Sequence, residues 1–345
     1  MGKSRGAGVS EKLSSYDYFL PEKLIATQPA SPRSSAKLMV YERESGKVIH
    51  SSFKHLLNFL PACSVIYNDS KVLKARLFGQ TKTGGKRELF LHQEKELNKF
   101  FAQIKGRVKA GDEIAISPNL KARVLELLDD GRRVVEFFYA EKRLCKQELY
   151  SLLDTVGELA LPPYMKRLAL VEDGKNYQSV FAKELGSVAA PTASLHFDDE
   201  AWKNFQKARN TASITLHIGP GTFAPLQVEN IKEHKMHSEE FYLSEEAIEL
   251  IKSPERLLAI GTTATRVVED FTRFNKSSGL CSLFLNPFNG PKRVDFLLTN
   301  FHLPKSSLIM LVASFIGLSK TLELYDLAIK NNYKFYSYGD CMLIL

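Results

Sequence analysis

The sequence predicts an α/β main domain with an inserted small β-barrel domain, on two observations. Between about residues 72 and 140, six β-rich runs follow one another: VLKARLFGQ, KRELFLHQ, KFFAQIK, DEIAI, LKARVLELL and RRVVEFFYA. They are divided by Gly84-Gly85, Gly111-Asp112, Pro118-Asn119 and Asp130-Gly131. Short strands separated by turn residues at such spacing build a small antiparallel barrel or sandwich. On both sides of this stretch, strand-like runs alternate with helix-like ones, the order of an α/β domain. The β-rich stretch therefore reads as an insertion.

The C-terminal part supplies the α/β pattern. ITLHI at 214–218 reads as a strand ending in the Gly219-Pro220-Gly221 loop, and LLAIG at 257–261 runs into Thr262-Thr263 before the helical pattern ATRVVEDFTRF. Ser244, followed by Glu245 and Glu246, is placed to cap a helix over AIELIKS, because a hydroxyl and first-turn carboxylates satisfy its free donors and positive end. Ser306 or Ser307 starts the next helix, LIMLVASFIG. The longest apolar run, 308–318, is well short of the roughly 20 residues that span a bilayer, so a buried helix is expected and no membrane partner.

The 345 residues are 44% hydrophobic and 25% charged, the composition of an ordinary globular protein with a sizeable core and room for about two domains. The net charge of +8 favours a polyanionic partner without identifying it. Cys63, Cys145, Cys281 and Cys341 lie far apart and form neither a Cys-x-x-Cys pair nor a disulfide framework, which fits a reducing cytoplasm. The N-terminal MGKSRGAGVSEK lacks the apolar stretch of a signal peptide and reads as a flexible arm.

Several residues are candidates for chemistry, each with a plain structural reading beside it. Gly219 and Gly221 allow close backbone approach to a ligand, and equally make a tight turn. Gly261-Thr262-Thr263 offers amides and hydroxyls ahead of a helix, as a ligand site or a cap. Neither loop fits a dinucleotide fingerprint, and Gly84-Gly85-Lys86-Arg87 fails the phosphate-loop pattern. His234 and His237 lack further ligands at familiar spacing, so no metal is expected and hydrogen bonding or proton transfer is the better role. His196, His217 and His302 sit among apolar neighbours, as core residues or as an acid or base. Arg76, Lys82, Lys86, Arg87, Lys105, Arg107 and Lys109 form a basic series along the barrel, a solvated face or a track for RNA. Tyr177, Phe181, Tyr336 and Tyr338 are core aromatics or stacking platforms for bases.

Taken together, the strings resemble one family, the S-adenosylmethionine:tRNA ribosyltransferase-isomerases of queuosine biosynthesis, from Tyr16 onward. They include YDYFLPEKLIATQPASPRSSAKLMV, VIYNDSKVLKARLFGQTKTGGKRELFL, GELALPPYMKR, YQSVFAKELGSVAAPTASLHF and TLHIGPGTFAPL. The family's Glu-His-x-Met-His-x-Glu pattern is present as Glu233 to Glu239, and GTTATR, LLTNFHLPKSSLIMLVASF and YKFYSYGDCMLIL complete the order. Ser194 stands where the family usually has Gly, and Pro220 where it has another small or apolar residue.

The resemblance implies a discontinuous α/β domain over 13–71 and 156–345, a barrel over 72–155, and an arm over 1–12. It implies as substrates S-adenosylmethionine, consumed rather than kept as a cofactor, and a tRNA carrying 7-aminomethyl-7-deazaguanine at the wobble position. Epoxyqueuosine tRNA, adenine and methionine would be the products. In this chemistry the sulfonium acidifies the 5′ carbon so that a base can eject adenine, before the modified base's amine attacks. His217, His196, His302 and Asp69 are candidates for the base and acid. Thr262, Thr263 and Arg266 would hold the methionine carboxylate or ribose, with Gly219, Gly221, Thr222 and Gly261 admitting the ligand. Arg76, Lys82, Lys86, Arg87, Lys166 and Arg167 would face the RNA. A cytoplasmic monomer is expected.

Overall fold

The computed structural model describes residues 10–223 and 226–345, without the side chains of Thr222 and Phe223. Its larger sheet has nine strands in the order Ser278–Cys281, Glu239–Leu243, Thr211–Leu216, Ser64–Asn68, Leu257–Ile260, Phe296–Asn300, Cys341–Ile344, Lys37–Tyr41 and Val48–Ser52. Thr211–Leu216, Ser64–Asn68, Leu257–Ile260 and Phe296–Asn300 run parallel. Every residue of Leu257–Ile260 and Phe296–Asn300 is buried, as parallel strands covered on both faces require. Helices Gly261–Phe274, Ser307–Ile316 and Leu318–Lys330 pack one face through Val267, Met310 and Leu324. Helix Asp199–Ala208 packs the other through Trp202 and Phe205.

The parallel strands fix where a ligand can bind. From Ser64–Asn68 the chain continues to its neighbour Thr211–Leu216 on one side, then crosses to Leu257–Ile260 on the other. Chain direction thus reverses about Ser64–Asn68, and the crevice at the carboxyl ends beside such a switch is the usual binding position.

The insertion leaves from that same end. Directly after Ser64–Asn68, the short strand Ser70–Val72 pairs in parallel with the returning Glu184–Ser187. Arg76 and Glu158 exchange backbone hydrogen bonds of 3.0 and 2.8 Å, clasping the outgoing and returning chain together. Between them Arg133–Tyr139, Lys99–Lys105, Lys86–Glu96, Arg76–Thr81, Glu113–Ala115 and Leu120–Leu127 pair in that order, and the first and last pair again to close a barrel. Leu77, Leu89, Phe100, Ala122, Val135 and Phe137 fill its interior, and helix Lys146–Val156 adds Leu149, Tyr150 and Leu153. This is the α/β domain with an inserted barrel that turn spacing predicted.

Local details follow the residues. Ser244 accepts from Ala247 N–H at 3.1 Å and Ser306 from Ile309 N–H at 3.3 Å, so both caps form. The helix expected after Thr263 begins instead at Gly261, whose φ of +89° turns the chain directly from strand into helix. The apolar run at 308–318 is broken at Gly317, beyond which the next helix turns by 111°. Among the described residues no single helix is long and apolar enough to cross a membrane. Of the N-terminal arm, residues 1–9 lie outside the described residues, whereas Lys12 forms an antiparallel bridge to Asn230.

Candidate active site

A cavity opens at the carboxyl ends of the parallel strands. It is lined by Ile218 beyond one strand, Gly261, Thr262 and Thr263 beyond the next, and Thr299 to Leu303 at and beyond the end of the third. Ala189 to Ala193, Tyr164, Ser306, Leu308, Tyr336 and Ser337 complete the wall. No Asp, Glu, Lys or Arg side chain lines it among the described residues. Asn68 ties the floor together: its Nδ2 donates to Leu216 O at 3.0 Å and Thr263 Oγ1 at 3.3 Å, while its Oδ1 accepts from Leu216 N–H at 3.0 Å.

Two of the expected histidines belong to this cavity's wall or its support. His302 lines it, and its Nε2 lies 2.7 Å from Thr299 Oγ1. Burial pushes the imidazole down to about 3, so it is neutral at physiological pH. His196 stands one layer behind, its Nε2 3.1 Å from Asn300 Oδ1. Asn300 Nδ2 donates to Tyr336 O and Ser337 O at 2.9 and 3.2 Å, which fixes the amide's orientation. Asn300 Oδ1 is therefore the acceptor and His196 carries its proton on Nε2. Burial also holds His196 down at about 4, against the opposing Asn300 bond. His196 thus positions Asn300, which lines the cavity, and does not line it itself.

The other two acid–base candidates point elsewhere. Strand Thr211–Leu216 ends before His217, and it is Ile218 that reaches the cavity. The His217 ring lies over Gly186, where an added β-carbon would come within 2.6 Å of it, and its buried Nδ1 has no partner. Burial lowers its pKa, with the Glu240 carboxylate opposing. Beyond the strand's end His217 turns into packing against Gly186. Asp69 is buried beside Thr215, whose hydroxyl donates to Oδ1 at 2.7 Å, and burial raises its carboxyl above the usual range. It lines neither the cavity nor the cleft described next.

The glycine loop is held by a buried ion pair that the sequence reading assigned differently. Gly219 N–H donates to Glu239 Oε1 at 2.9 Å, and Glu239 Oε2 accepts from Arg266 Nη1. Arg266 also donates to Leu283 O at 3.1 Å and Cys281 O at 3.2 Å. Expected to hold a ligand's carboxylate or ribose, Arg266 instead holds the protein's own Glu239, because helix Gly261–Phe274 turns it away from the cavity after Thr262 and Thr263. Gly221 lies under the ring of His237, while His234 packs edge-on against Phe284 at 5.1 Å. Thr222 falls in the turn Pro220–Phe223, with its side chain outside the described residues.

Where the loop continues, the cavity gives way to an open cleft between the barrel and the main domain. The cleft, of about 1170 Å³, exceeds the roughly 300–1,000 Å³ of small-molecule pockets. Gly219, Pro220, Gly221, His237 and Glu239 form its floor beside Ile218 of the cavity. Of the six residues expected to face RNA, Arg76, Lys166 and Arg167 line it. Lys82, Lys86 and Arg87 do not. Lys82 sits 3.5 Å from Glu113, which also binds Lys121 and Arg123 on the barrel's outer face. Arg87 donates to Arg107 O at 3.1 and 2.7 Å and to Lys86 O at 2.8 Å, tying the start of its strand to the loop after Lys105. Lys105 and Arg132 take their places in the cleft.

Of the four aromatics singled out from the sequence, only Tyr336 lines the cavity. Its ring stacks on that of Tyr164 at 4.3 Å, and its φ of +72° is unusual for a residue with a side chain. Tyr177 is fully buried, Phe181 packs against Trp202 and Tyr67, and Tyr338 donates to Asp173 at 2.9 Å. Asn68, Glu239, Tyr164, Thr299 and Asn300 were not assigned from the sequence. The signal available for Asn68 was its place at a strand end, next to the Asp69 that was chosen.

An uncharged cavity of about 70 Å³ adjoins the wider, charged cleft at Ile218 and Gly219. The comparisons with known proteins define the class, a ribosyltransferase-isomerase. The family model described as "Queuosine biosynthesis protein" matches residues 13–344, and the chain belongs to that family. A Campylobacter jejuni protein named S-adenosylmethionine:tRNA ribosyltransferase-isomerase is 53% identical over 337 residues, covering 96% of this chain and 98% of that protein. A Nitratiruptor protein of the same name is 51% identical over 335 residues, covering 97% and 98%. The crystal structure of S-adenosylmethionine tRNA ribosyltransferase from Thermotoga maritima matches with a TM-score of 0.53 at 29% identity, covering 96% of this chain and 100% of that one.

Proposed function

We propose that this chain transfers and isomerises the ribosyl part of S-adenosylmethionine onto 7-aminomethyl-7-deazaguanine at the wobble position of tRNA. The products are epoxyqueuosine tRNA, adenine and methionine. The observation that carries the reading is the meeting of cavity and cleft across the Ile218-Gly219 bond, which sets a small donor beside a large acceptor. S-Adenosylmethionine is a consumed substrate here, and no resident cofactor or metal is needed to activate it, since the sulfonium already acidifies the adjacent carbon.

The cavity's side chains suit parts of that donor. Its volume of about 70 Å³, below the roughly 300–1,000 Å³ of small-molecule pockets, requires the walls to part to admit the whole molecule. An uncharged wall does not repel a sulfonium, and the N-terminal turn of helix Gly261–Phe274 presents amides and the Thr262 and Thr263 hydroxyls to a carboxylate or ribose. The Tyr164–Tyr336 pair offers a flat wall to adenine. Among the described residues His302 is the one imidazole in the lining; burial keeps it neutral and so disfavours its protonated form, which suits a ring that holds a proton only transiently. Its partner Thr299 orients the ring. In this reading His302 carries the acid–base role, and His217, His196 and Asp69 act on packing and position. The protein works as a cytoplasmic monomer.

The test is to incubate the protein with S-adenosylmethionine and precursor tRNA and identify nucleoside and small products by mass. Epoxyqueuosine with equal adenine and methionine supports the reading. S-Adenosylhomocysteine would mean methyl transfer instead, and tRNA binding with no donor consumed would mean a binding protein.

A further inference from the structure

At the rim of the cleft, directly after Lys166 and Arg167, three apolar side chains stand in solvent within four residues. Leu168 is 63% exposed, Leu170 51% and Val171 93%, and Leu168 itself lines the cleft. Exposed apolar groups clustered this tightly carry a hydration cost that a chain escapes by folding them in, unless something holds them out. Here the buried carboxylate of Asp173 does so. Arg167 grips it with two nitrogens at 2.5 and 2.9 Å, Leu170 N–H donates to it at 2.8 Å, and Tyr338 O–H at 2.9 Å. Arg167 also donates to Thr27 O at 3.0 Å. The segment is thus tied at both ends to one fixed group and presents its apolar side chains outward.

We infer that 168–171 is an apolar wedge that packs against unpaired bases of the RNA acceptor while Lys105 and Lys166 hold its backbone. The inference rests on the function proposed above and assigns the base-contacting surface within it. The choice of occupant follows from charge. The cleft that the wedge borders is lined by Arg76, Lys105, Arg132, Lys166 and Arg167 against Glu88, Asp130 and Glu239, an excess of cations in the lining. Lys166 also meets Glu22 and Arg167 meets Asp173, so the cleft favours a polyanion chiefly through Lys105 and the exposed Lys166. Apolar side chains set among cations insert between or stack on nucleic-acid bases, whose faces are apolar while their backbone is charged. The wedge is coupled to the inner cavity as well, because Tyr338, which holds Asp173, follows Tyr336 and Ser337 of the cavity wall. A base gripped at 168–171 is thereby held in register with the donor.

The experiment uses the full chain and an anticodon stem-loop RNA carrying 2-aminopurine in its loop. It compares wild type with Val171→Ser and with the triple variant Leu168→Ser, Leu170→Ser and Val171→Ser. Because all three side chains are exposed, both variants should melt with wild type. The triple variant should bind the stem-loop at least about tenfold more weakly and lose the fluorescence rise that reports base unstacking, with Val171→Ser intermediate. Its affinity for S-adenosylmethionine and for fully paired RNA should not change. Wild-type affinity and fluorescence in the triple variant would overturn the wedge while leaving the proposed function intact, provided wild type makes the expected nucleoside. A wild-type protein that dimerises, with the triple variant monomeric, would overturn it by assigning the patch to a second copy. If wild type neither binds the stem-loop nor makes product, the proposed function falls and takes the wedge with it.

Discussion

Cavity and cleft share a border at residues 218 and 219 but are built on opposite principles. The cavity is uncharged, and its polar groups are bound by neutral partners: His302 by Thr299, Asn300 by His196 and two carbonyls, Thr263 by Asn68. In the cleft, four of the five cations are paired with carboxylates, Arg76 with Glu88, Arg132 with Asp130, Lys166 with Glu22 and Arg167 with Asp173. Under the proposed function the first arrangement positions a small ligand by shape and hydrogen bonds. The second attracts a polyanion through Lys105 and through cations that can exchange a carboxylate for a phosphate, an attraction that salt screens. In that reading specific chemistry and sequence-tolerant attraction fall in separate places, with the Glu239–Arg266 pair under Gly219 at their border.

That join gives the largest expected effect. Glu239→Ala leaves Arg266 buried and uncompensated and frees the Gly219 amide, which should cost about 3–5 kcal/mol in urea unfolding. A loss of under about 1 kcal/mol would mean that the two regions are not held together through this pair.

Acid should next expose the cavity's neutral character. Burial places His196 and the barrel's His92 at about 4 and His302 at about 3. All three lie below the unfolded value of about 6.5. Between those values the unfolded chain binds more protons than the folded one, so stability is full above about pH 6.5 and falls as pH drops toward 4. From pH 7 to pH 5 each buried histidine should remove about 1–2 kcal/mol. Unfolding midpoints that stay flat across that interval would show that these imidazoles are not buried neutral.

The smallest effect sharpens the comparison from the cavity's supporting layer. Ser194 is fully buried and its hydroxyl has no hydrogen-bond partner. Ser194→Ala should therefore be neutral or stabilising by up to about 1 kcal/mol, because no bond is lost. A clear drop in melting temperature would reveal a partner for that hydroxyl.

How far the sequence reaches follows the same division. The barrel was legible because turn residues separate its strands, and all six runs between 72 and 140 became strands. The strand-to-loop junctions at Gly219 and Gly261 were legible because glycine marks them. What a loop does once it leaves a strand was not. His217 and Ile218 are adjacent, and only the end of the strand at Leu216 decides which reaches the cavity. Arg266 follows Thr263 by one helical turn, yet the turn carries it to Glu239, a residue 27 positions away. The basic series along the barrel read as one strip, and alternation does place Lys86 on the same face as Arg76, Glu88 and Lys105. The cleft, however, covers only the part of that face around Arg76 and Lys105, leaving Lys86 nearer the hairpin turn and Lys82 beside Glu113. Local pattern specifies elements, and the register between distant elements decides which side chains meet.

The central claim, that donor chemistry and RNA attraction reside in different places, is tested most directly by single-turnover rates at rising concentrations of precursor tRNA. The comparison needs two variants. His302→Gln should lower the rate at saturating tRNA at least about tenfold, near 1.4 kcal/mol, and leave the half-saturating concentration unchanged. Lys105→Glu combined with Lys166→Glu should raise the half-saturating concentration, reduce its salt dependence by about 0.7 in log–log slope for each phosphate no longer neutralised, and leave the saturating rate unchanged. If either variant moves both quantities together, or if His302→Gln turns over at the wild-type rate, the division of labour between cavity and cleft is wrong.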